Sequence, residues 1–334
     1  MADCSRRYYS KISRHCWPTE SVNAAAVHDE LRQIRFRAGP ITVLGLQFHL
    51  TRRYIRAMTN NNAYEIEEQD VEYQRLAGKP WLARIYQPKG PGPFPSIIDV
   101  HGGAWHNGDR FNNAGVDRAL AAKGIVVAAL DFRQPPEASY PASLCDVNLA
   151  VRWFKAHAAE FNATATVGAF GNSSGGHQVV LSALRPRHPA YSTLPLGDDG
   201  SVDATVNYVI AAWPVICPLY RFRYAKRIDN QQHVQAHIDY WRSEEAMSEG
   251  SPQTIVESAE VVELPPVLFL LKQDDKNHPL EMQERFIASY RKRGGAIEVH
   301  SFAGLPEHRM VPSPEQPETL RFIDLVSGFI AAKA

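Results

Sequence analysis

The sequence has 334 residues, of which 44% are hydrophobic and 22% are charged, an ordinary balance for a globular protein. Its 36 basic and 36 acidic residues cancel, which argues against a protein that binds nucleic acid or an anionic membrane through net charge. The length suits one large α/β domain that carries an insertion.

Residues 1–65 form no clear pattern of strands, and we interpret them as an N-terminal extension that covers the site, packs on the domain or extends into solvent. From there on, apolar runs typical of buried strands alternate with segments of helical periodicity. The predicted strands are two pieces within 73–86, then 96–100, 125–130, 166–170, 204–213, 265–271 and 296–302. The predicted helices are 118–123, 143–161, 178–184, 280–293 and 317–332.

This alternation predicts a mostly parallel central sheet with helices on both faces. Residues 214–262 break the rhythm and are rich in Tyr, Arg, Gln and His, which indicates a cap inserted over the sheet. The predicted core is therefore 66–213 together with 263–334.

The four cysteines are scattered along the chain and form no C-x-x-C pair, so we expect free thiols in a reducing compartment. Neither a signal peptide nor a membrane-spanning segment is visible in the sequence. The protein is accordingly predicted to be cytoplasmic. The four cysteines are Cys4, Cys16, Cys145 and Cys217.

The most informative motif is G-x-S-x-G at 171–175, centred on Ser173, between a predicted strand and a predicted helix. A sharp strand-to-helix turn places its central side chain at the carboxyl edge of the sheet, where a serine is an exposed nucleophile. The backbone N–H of Ser174 at the helix start could then stabilise a developing oxyanion.

A second motif, H-G-G-A-W at 101–105, directly follows a predicted buried strand. Its glycines let the backbone approach a ligand closely, so Gly102, Gly103 and Ala104 are candidates for an oxyanion hole. The N–H groups of Gly103 and Ala104 are expected to point inward.

A serine nucleophile needs a base and a carboxylate that orients the base. We predict His308 as the base, because it lies between the last strand and the last helix, at the carboxyl edge. His278 is the main competitor, since it also falls in a carboxyl-edge loop. Asp274 and Asp275 both follow the strand at 265–271, and either could be the carboxylate.

Together these segments resemble α/β-hydrolases of the esterase and lipase group related to hormone-sensitive lipase, and in particular the BD-FAE-like carboxylesterases. The loop 101–105 is similar to that family's H-G-G-G/A-W, and 171–177 is similar to G-D-S-A-G-G-H. Residues 131–137, followed by 140–142 and Asp146, are similar to D-Y-R-L-A-P-E…F-P-A…D. The resemblance covers roughly residues 70–334 and implies an α/β-hydrolase fold.

The family's D-x-x-V-P signature falls on 275–279, so the resemblance favours Asp275 over Asp274. The expected triad is then Ser173, Asp275 and His308, in the chain order of this fold. Four departures are visible: Ala104 for the third glycine, Asn172 for aspartate, 272–273 for His-Gly, and Arg309 and Met310 after His308.

The expected activity is hydrolysis of a small or hydrophobic carboxylic ester through an acyl-enzyme, without a metal or an organic cofactor. Trp105 and the cap aromatics are candidates for a substrate pocket, although ordinary packing explains each of them equally well; they are Trp213, Tyr220, Tyr224, Tyr240 and Trp241. Amide hydrolysis of the arylformamidase type is the alternative, and a non-catalytic binding protein is a third. The expected partner is a small-molecule ester, and the chain could be a monomer or a homodimer.

Overall fold

The computed structural model describes residues 63–197, 201–306 and 310–334. Nearly all of the predicted N-terminal extension, 1–65, lies outside the described residues. His308 lies outside them as well.

Strands and helices alternate along the described chain. The strands are β1 (Ile66–Leu76), β2 (Lys79–Pro88), β3 (Phe94–Val100), β4 (Val126–Leu130), β5 (Ala163–Asn172), β6 (Val209–Ala212), β7 (Val267–Lys272) and β8 (Ile297–Phe302). The helices are α1 (Ala114–Ala122), α2 (Ala142–His157), α3 (Ser174–Leu184), α4 (Pro218–Arg227), α5 (Gln231–Trp241), α6 (Glu244–Glu249), α7 (Pro252–Glu257), α8 (Leu280–Lys292) and α9 (Pro317–Lys333).

The strands form one sheet in the order β1-β2-β4-β3-β5-β6-β7-β8. The pairs β1–β2 and β2–β4 are antiparallel, and from β4 to β8 every pair is parallel. The predicted mostly parallel sheet is therefore confirmed. Since parallel strands end at a common edge, the segments that follow β3, β5 and β7 come together there.

Helices cover both faces of the sheet, as predicted. Neighbouring residues of a strand point to opposite faces, and in β3 Ile98 belongs to the core beneath α2 and α3 while Ile97 belongs to the core beneath α1 and α9. This architecture is the α/β-hydrolase fold.

Helices α4–α7 lie between β6 and β7, in the stretch that the sequence analysis assigns to a cap. Side chains cap three of these helices at their N-termini: Asn230 caps α5, Ser243 caps α6 and Ser251 caps α7. Of the helices that the structure describes, none has the length and apolar character needed to cross a membrane.

Candidate active site

Ser173 lies at a sharp turn between β5 and α3. Its backbone has a φ of 54° and a ψ of −117°, a conformation that an L-residue rarely adopts. The Ser173 N–H donates to the Ala212 carbonyl at 2.9 Å, so the neighbouring strand holds the strained backbone in place. The turn presents the side chain at the carboxyl edge of the sheet, as the motif predicts.

The glycines of the motif are required by close backbone packing. A Cβ at Gly175 would lie 1.9 Å from the Val100 carbonyl oxygen, and one at Gly171 would lie 2.5 Å from the backbone of Gly175. Neither contact is possible for real atoms, and the blocking atoms are backbone that cannot rotate away. The turn therefore requires glycine at both of these positions of the G-x-S-x-G pattern, because any side chain would overlap with the backbone.

His278 is the histidine that the structure brings to Ser173. The Ser173 Oγ lies 3.1 Å from His278 Nε2, and the His278 Nδ1–H donates to Asp275 Oδ2 at 2.8 Å. With the proton on Nδ1, the Nε2 lone pair is free to accept the serine proton. A hydroxyl, an imidazole and a carboxylate linked in this order can activate a nucleophile.

Asp275 rather than Asp274 approaches the imidazole. Its Oδ1 accepts the backbone N–H groups of Asn277 at 2.8 Å and His278 at 3.0 Å, which fixes the carboxylate within one turn of the loop after β7. Asp274 is exposed. This placement agrees with the choice made from the D-x-x-V-P signature.

The predicted base His308 lies outside the described residues, whereas its competitor His278 occupies the position that a base requires. A signal for His278 was present in the sequence, because it stands where the family's D-x-x-V-P signature has valine.

Burial lowers the pKa of His278, and the charges of Arg221 and Lys272 lower it further, while the hydrogen bond to Asp275 and the charge of that carboxylate oppose them. For Asp275, burial raises the pKa, but the bond and charge of His278 outweigh this effect and the pKa falls below its usual value. At neutral pH the pair therefore holds a neutral imidazole beside an ionised carboxylate.

These shifts predict the pH dependence of the reaction. A base must be neutral, so kcat/KM should rise with pH through a midpoint below about 6.5, the ordinary pKa of histidine. Lys272→Gln removes a positive charge that depresses this pKa and should move the midpoint upward, whereas Lys276→Gln, on the same loop but exposed, should not. A wild-type midpoint above the ordinary value would contradict the assignment of His278.

The loop after β3 carries two candidate oxyanion donors. Gly103 has a φ of 112° and Ala104 a φ of 55°, which turns their N–H groups away from regular secondary structure. Neither N–H, nor that of Ser174 at the start of α3, has an acceptor in the described part of the chain. Three backbone donors near the nucleophile are suited to stabilise an oxyanion.

Gly102 has a different role from the one predicted for it. Its N–H donates to Asn172 Oδ1 at 3.0 Å, so this donor is already engaged. The Asn113 Nδ2–H group also donates to Asn172 Oδ1, at 3.1 Å, and reaches the buried Asp99 carboxylate at 2.9 Å. Gly102 thus anchors the oxyanion loop to the nucleophile turn, and Asn172 replaces the family's aspartate without loss of the acceptor.

Gly103→Ala is predicted to damage the oxyanion loop. The new Cβ would lie 1.8 Å from the Asn107 carbonyl oxygen, and the φ of 112° is unsuited to alanine. We expect kcat to fall by about 10²–10³, the effect of losing one oxyanion donor. Gly328→Ala, where a Cβ meets nothing within 4 Å, is the matched control and should keep full activity. Equal activities of the two variants would argue against this loop.

Trp105 does not line the cavity beside Ser173, in contrast to its predicted role in substrate binding. It is 1% exposed, stacks on Tyr240 with ring centres 5.3 Å apart, and packs edge-to-face on Trp241. Its indole Nε1–H donates to His177 Nδ1 at 3.1 Å. These aromatic residues fasten the oxyanion loop to α5.

The two histidines of the motifs hold backbone carbonyl groups. His101 donates from Nδ1 to the Gly102 carbonyl at 2.6 Å and holds its own loop. His177 donates from Nε2 to the Gly250 carbonyl at 2.8 Å, and burial lowers its pKa to about 4, which keeps it neutral. His300 lies on β8 beside Glu298.

A cavity of about 520 Å³ opens beside Ser173, within the range of small-molecule sites. Loop residues of the core line it together with side chains of α4 and α5. The lining includes Gly103, Ala104, Asn107, Asn113, Trp213, Arg221, Asn230, Gln232, His233, Lys272, Asp275 and His278. Of the aromatic residues proposed for a pocket, Trp213 alone is among them. In the described ranges no three His, Cys, Asp or Glu side chains are grouped to hold a metal ion.

Comparison with known proteins identifies the family. The BD-FAE family model matches residues 84–287, more than half of the chain. The chain belongs to the BD-FAE family. The matched range includes Ser173, Asp275 and His278, and it ends before His308.

This BD-FAE member is 32% identical over 204 residues to Esterase LipC of Mycobacterium tuberculosis, with 60% of the chain and 49% of LipC covered. It is 26% identical over 212 residues to the probable carboxylic ester hydrolase LipM of the same organism, with 60% of the chain and 46% of LipM covered. The matches thus span about half the length of these curated relatives.

Solved esterases share the fold of this BD-FAE member. The esterase Est2 of the planctomycete Thermogutta terrifontis has a TM-score of 0.62 at 20% identity, with 81% of the chain and 94% of Est2 covered. The esterase of the archaeon Pyrobaculum calidifontis has a TM-score of 0.63 at 19% identity, with 93% of the chain and 99% of that esterase covered. At these identities the likeness concerns the fold.

Proposed function

We propose that the protein is a carboxylic ester hydrolase that works through an acyl-enzyme on Ser173. The observation that carries the proposal is the chain of contacts from Ser173 Oγ to His278 Nε2, at 3.1 Å, and from His278 Nδ1 to Asp275 Oδ2, at 2.8 Å. Membership in the BD-FAE family and the esterase names of the relatives support the same reaction class.

In the first half-reaction, His278 Nε2 takes the proton of Ser173 while Oγ attacks the ester carbonyl carbon. The carbonyl oxygen becomes an oxyanion that the N–H groups of Gly103, Ala104 and Ser174 stabilise. The tetrahedral intermediate collapses, the bond to the alcohol oxygen breaks, and the imidazolium returns its proton to the departing alcohol.

In the second half-reaction, water attacks the acyl-enzyme and gives its proton to His278 Nε2. Collapse of the second intermediate releases the carboxylic acid, and Ser173 regains its proton. Asp275 stays ionised throughout and stabilises the imidazolium that forms twice. The substrate of this reaction is a small-molecule ester.

The test is hydrolysis of p-nitrophenyl esters from acetate to decanoate, compared with N-formyl anilides for the arylformamidase alternative. We expect turnover of the esters, and mass spectrometry of an acid-quenched reaction should find the acyl group on the peptide that contains Ser173. Turnover of the anilides with inert esters would favour the amide hydrolase. An acyl group elsewhere, or no turnover of either class, would contradict the proposal.

We also propose a cytoplasmic location. Cys145 and Cys217 are free thiols, and Cys145 is buried. Free thiols persist in a reducing compartment. Fractionation of the source cells, with detection by an antibody against the protein, tests this location.

A further inference from the structure

The cavity beside Ser173 is polar and positively charged, which a pocket for a simple alkyl ester does not require. Its cations are Arg221 of α4 and Lys272 at the end of β7. Among the described residues that line it, the one carboxylate is that of Asp275, which His278 already engages. Because burial keeps the imidazoles of His233 and His278 neutral, the lining that the structure describes carries a net positive charge at neutral pH.

Arg221 is a buried cation whose hydrogen-bonding capacity is largely unused. Its side chain is 2% exposed, and its guanidinium carbon lies 5.8 Å from the ring centre of Trp105. The Nη2 group reaches the imidazole of His233, at 3.2 Å from Nε2, but Nε and Nη1 have no hydrogen-bond partner in the described part of the chain. Burial lowers the pKa of Arg221 to about 10, so it stays protonated at neutral pH.

A buried guanidinium without a carboxylate partner is unusual, because desolvation of the charge has to be offset by an anion or by hydrogen-bond acceptors. Arg221 lies in the wall of the cavity, where the charge of a bound anion can offset this desolvation. The planar fork of a guanidinium matches the two oxygens of a carboxylate. The charge and the planar shape of the Arg221 side chain therefore favour a carboxylate in this cavity.

Lys272 adds a second charge to the same cavity. Its Nζ lies 5.6 Å from the ring centre of Trp213, and no carboxylate pairs with it among the residues that the structure describes. It stands where the resembled family has histidine, one of the departures noted in the sequence. Since both cations line one cavity, the flexible ammonium of Lys272 can follow an anionic group as the ester is positioned.

We propose that the substrate of this site is an ester that carries a carboxylate, which Arg221 binds and Lys272 steers. This inference rests on the proposed ester hydrolysis and names its substrate class. A carboxylate on the acyl side makes the substrate a half-ester of a dicarboxylic acid, and one on the alcohol side makes it an ester of a hydroxy acid. Hydrolysis of the half-ester consumes one water and releases the dicarboxylic acid and the alcohol.

The experiment compares each carboxylate ester with its own methyl ester. On the acyl side the pair is mono-p-nitrophenyl glutarate and methyl p-nitrophenyl glutarate. On the alcohol side it is 4-acetoxybenzoate and methyl 4-acetoxybenzoate. In one of the pairs we expect the carboxylate ester to have a kcat/KM about 10- to 100-fold above that of its methyl ester, the effect of a charged hydrogen bond.

Substitutions at the two cations test their roles. Arg221→Gln should abolish the preference and Lys272→Gln should reduce it. The exposed residues Arg223 and Lys276 provide matched controls, since Arg223→Gln and Lys276→Gln should leave the preference unchanged. Both variants of the site also change the charge near His278, but this effect cancels in the ratio, because both esters of a pair use the same base.

Absence of a preference for either carboxylate ester in the wild type would overturn the inference, even if Arg221→Gln fails to fold. A preference that survives both Arg221→Gln and Lys272→Gln would overturn it as well. In those cases the methyl esters would still be hydrolysed in a Ser173-dependent manner. Loss of all ester hydrolysis would instead contradict the proposed function, so the two failures are distinguishable.

Discussion

Ser173→Ala should lower kcat for ester hydrolysis by about 10⁶, the loss seen when the nucleophile of a catalytic triad is removed. The substitution removes the Oγ that lies 3.1 Å from His278, and the hydroxyl of the next residue, Ser174, is buried. The measurement is turnover of the best p-nitrophenyl ester, with thermal unfolding to show that the variant folds.

Ser182→Ala is a matched control on the same helix, α3, because its Oγ is buried and has no hydrogen-bond partner in the described residues. It should keep wild-type turnover within about twofold, as expected for a site outside the active centre. If Ser173→Ala and Ser182→Ala are equally active, Ser173 is not the nucleophile, whatever its geometry.

His278→Asn should lower kcat by about 10⁶ as well, because loss of the base in a triad costs as much as loss of the nucleophile. His308→Asn should reduce kcat less than about tenfold, since a residue outside the triad removes no proton-transfer step. The two substitutions are chemically identical and differ only in position, so each serves as the control of the other. The prediction opposes the one made from sequence, which places the base at His308.

The reverse result has a clear meaning. If His308→Asn is inactive and His278→Asn is active, the base is His308, and the contact between His278 and Ser173 is incidental to catalysis. The acidic limb of the pH profile adds a second readout, because the less damaged variant should keep the midpoint of the wild type. Similar losses in both variants would exclude a single base and contradict the proposed triad.

Local sequence signals were sufficient to predict most of the fold. The apolar run that became β5 and the helical pattern that became α3 flank a glycine motif whose spacing follows from backbone contacts. The same is true of the loop after β3, where Gly103 adopts a backbone conformation that favours glycine. Such features can be predicted because the residues of each motif are contiguous in the chain, even where the atom that requires glycine, as at Gly175, belongs to another strand.

The residues that line the cavity could not be predicted in this way. Arg221 lies on a helix between β6 and β7, and only the packing of that helix brings it to the residues that follow β7. Trp105 was proposed for the substrate pocket because it follows the glycines, but its packing partners Tyr240 and Trp241 are far away in sequence. Contacts of this range depend on how separate elements pack.

The attachment of Trp105 bears on how enzymes of this architecture can be recombined. Helices α4–α7 look like a module that could be exchanged between relatives to change specificity. Yet Tyr240 and Trp241, on α5, hold the indole that follows Gly103 and Ala104 directly in the chain. A chimera that replaces this pair is expected to release the loop that carries the proposed oxyanion donors and to lose rate on every substrate. An exchange of specificity therefore has to retain Tyr240 and Trp241.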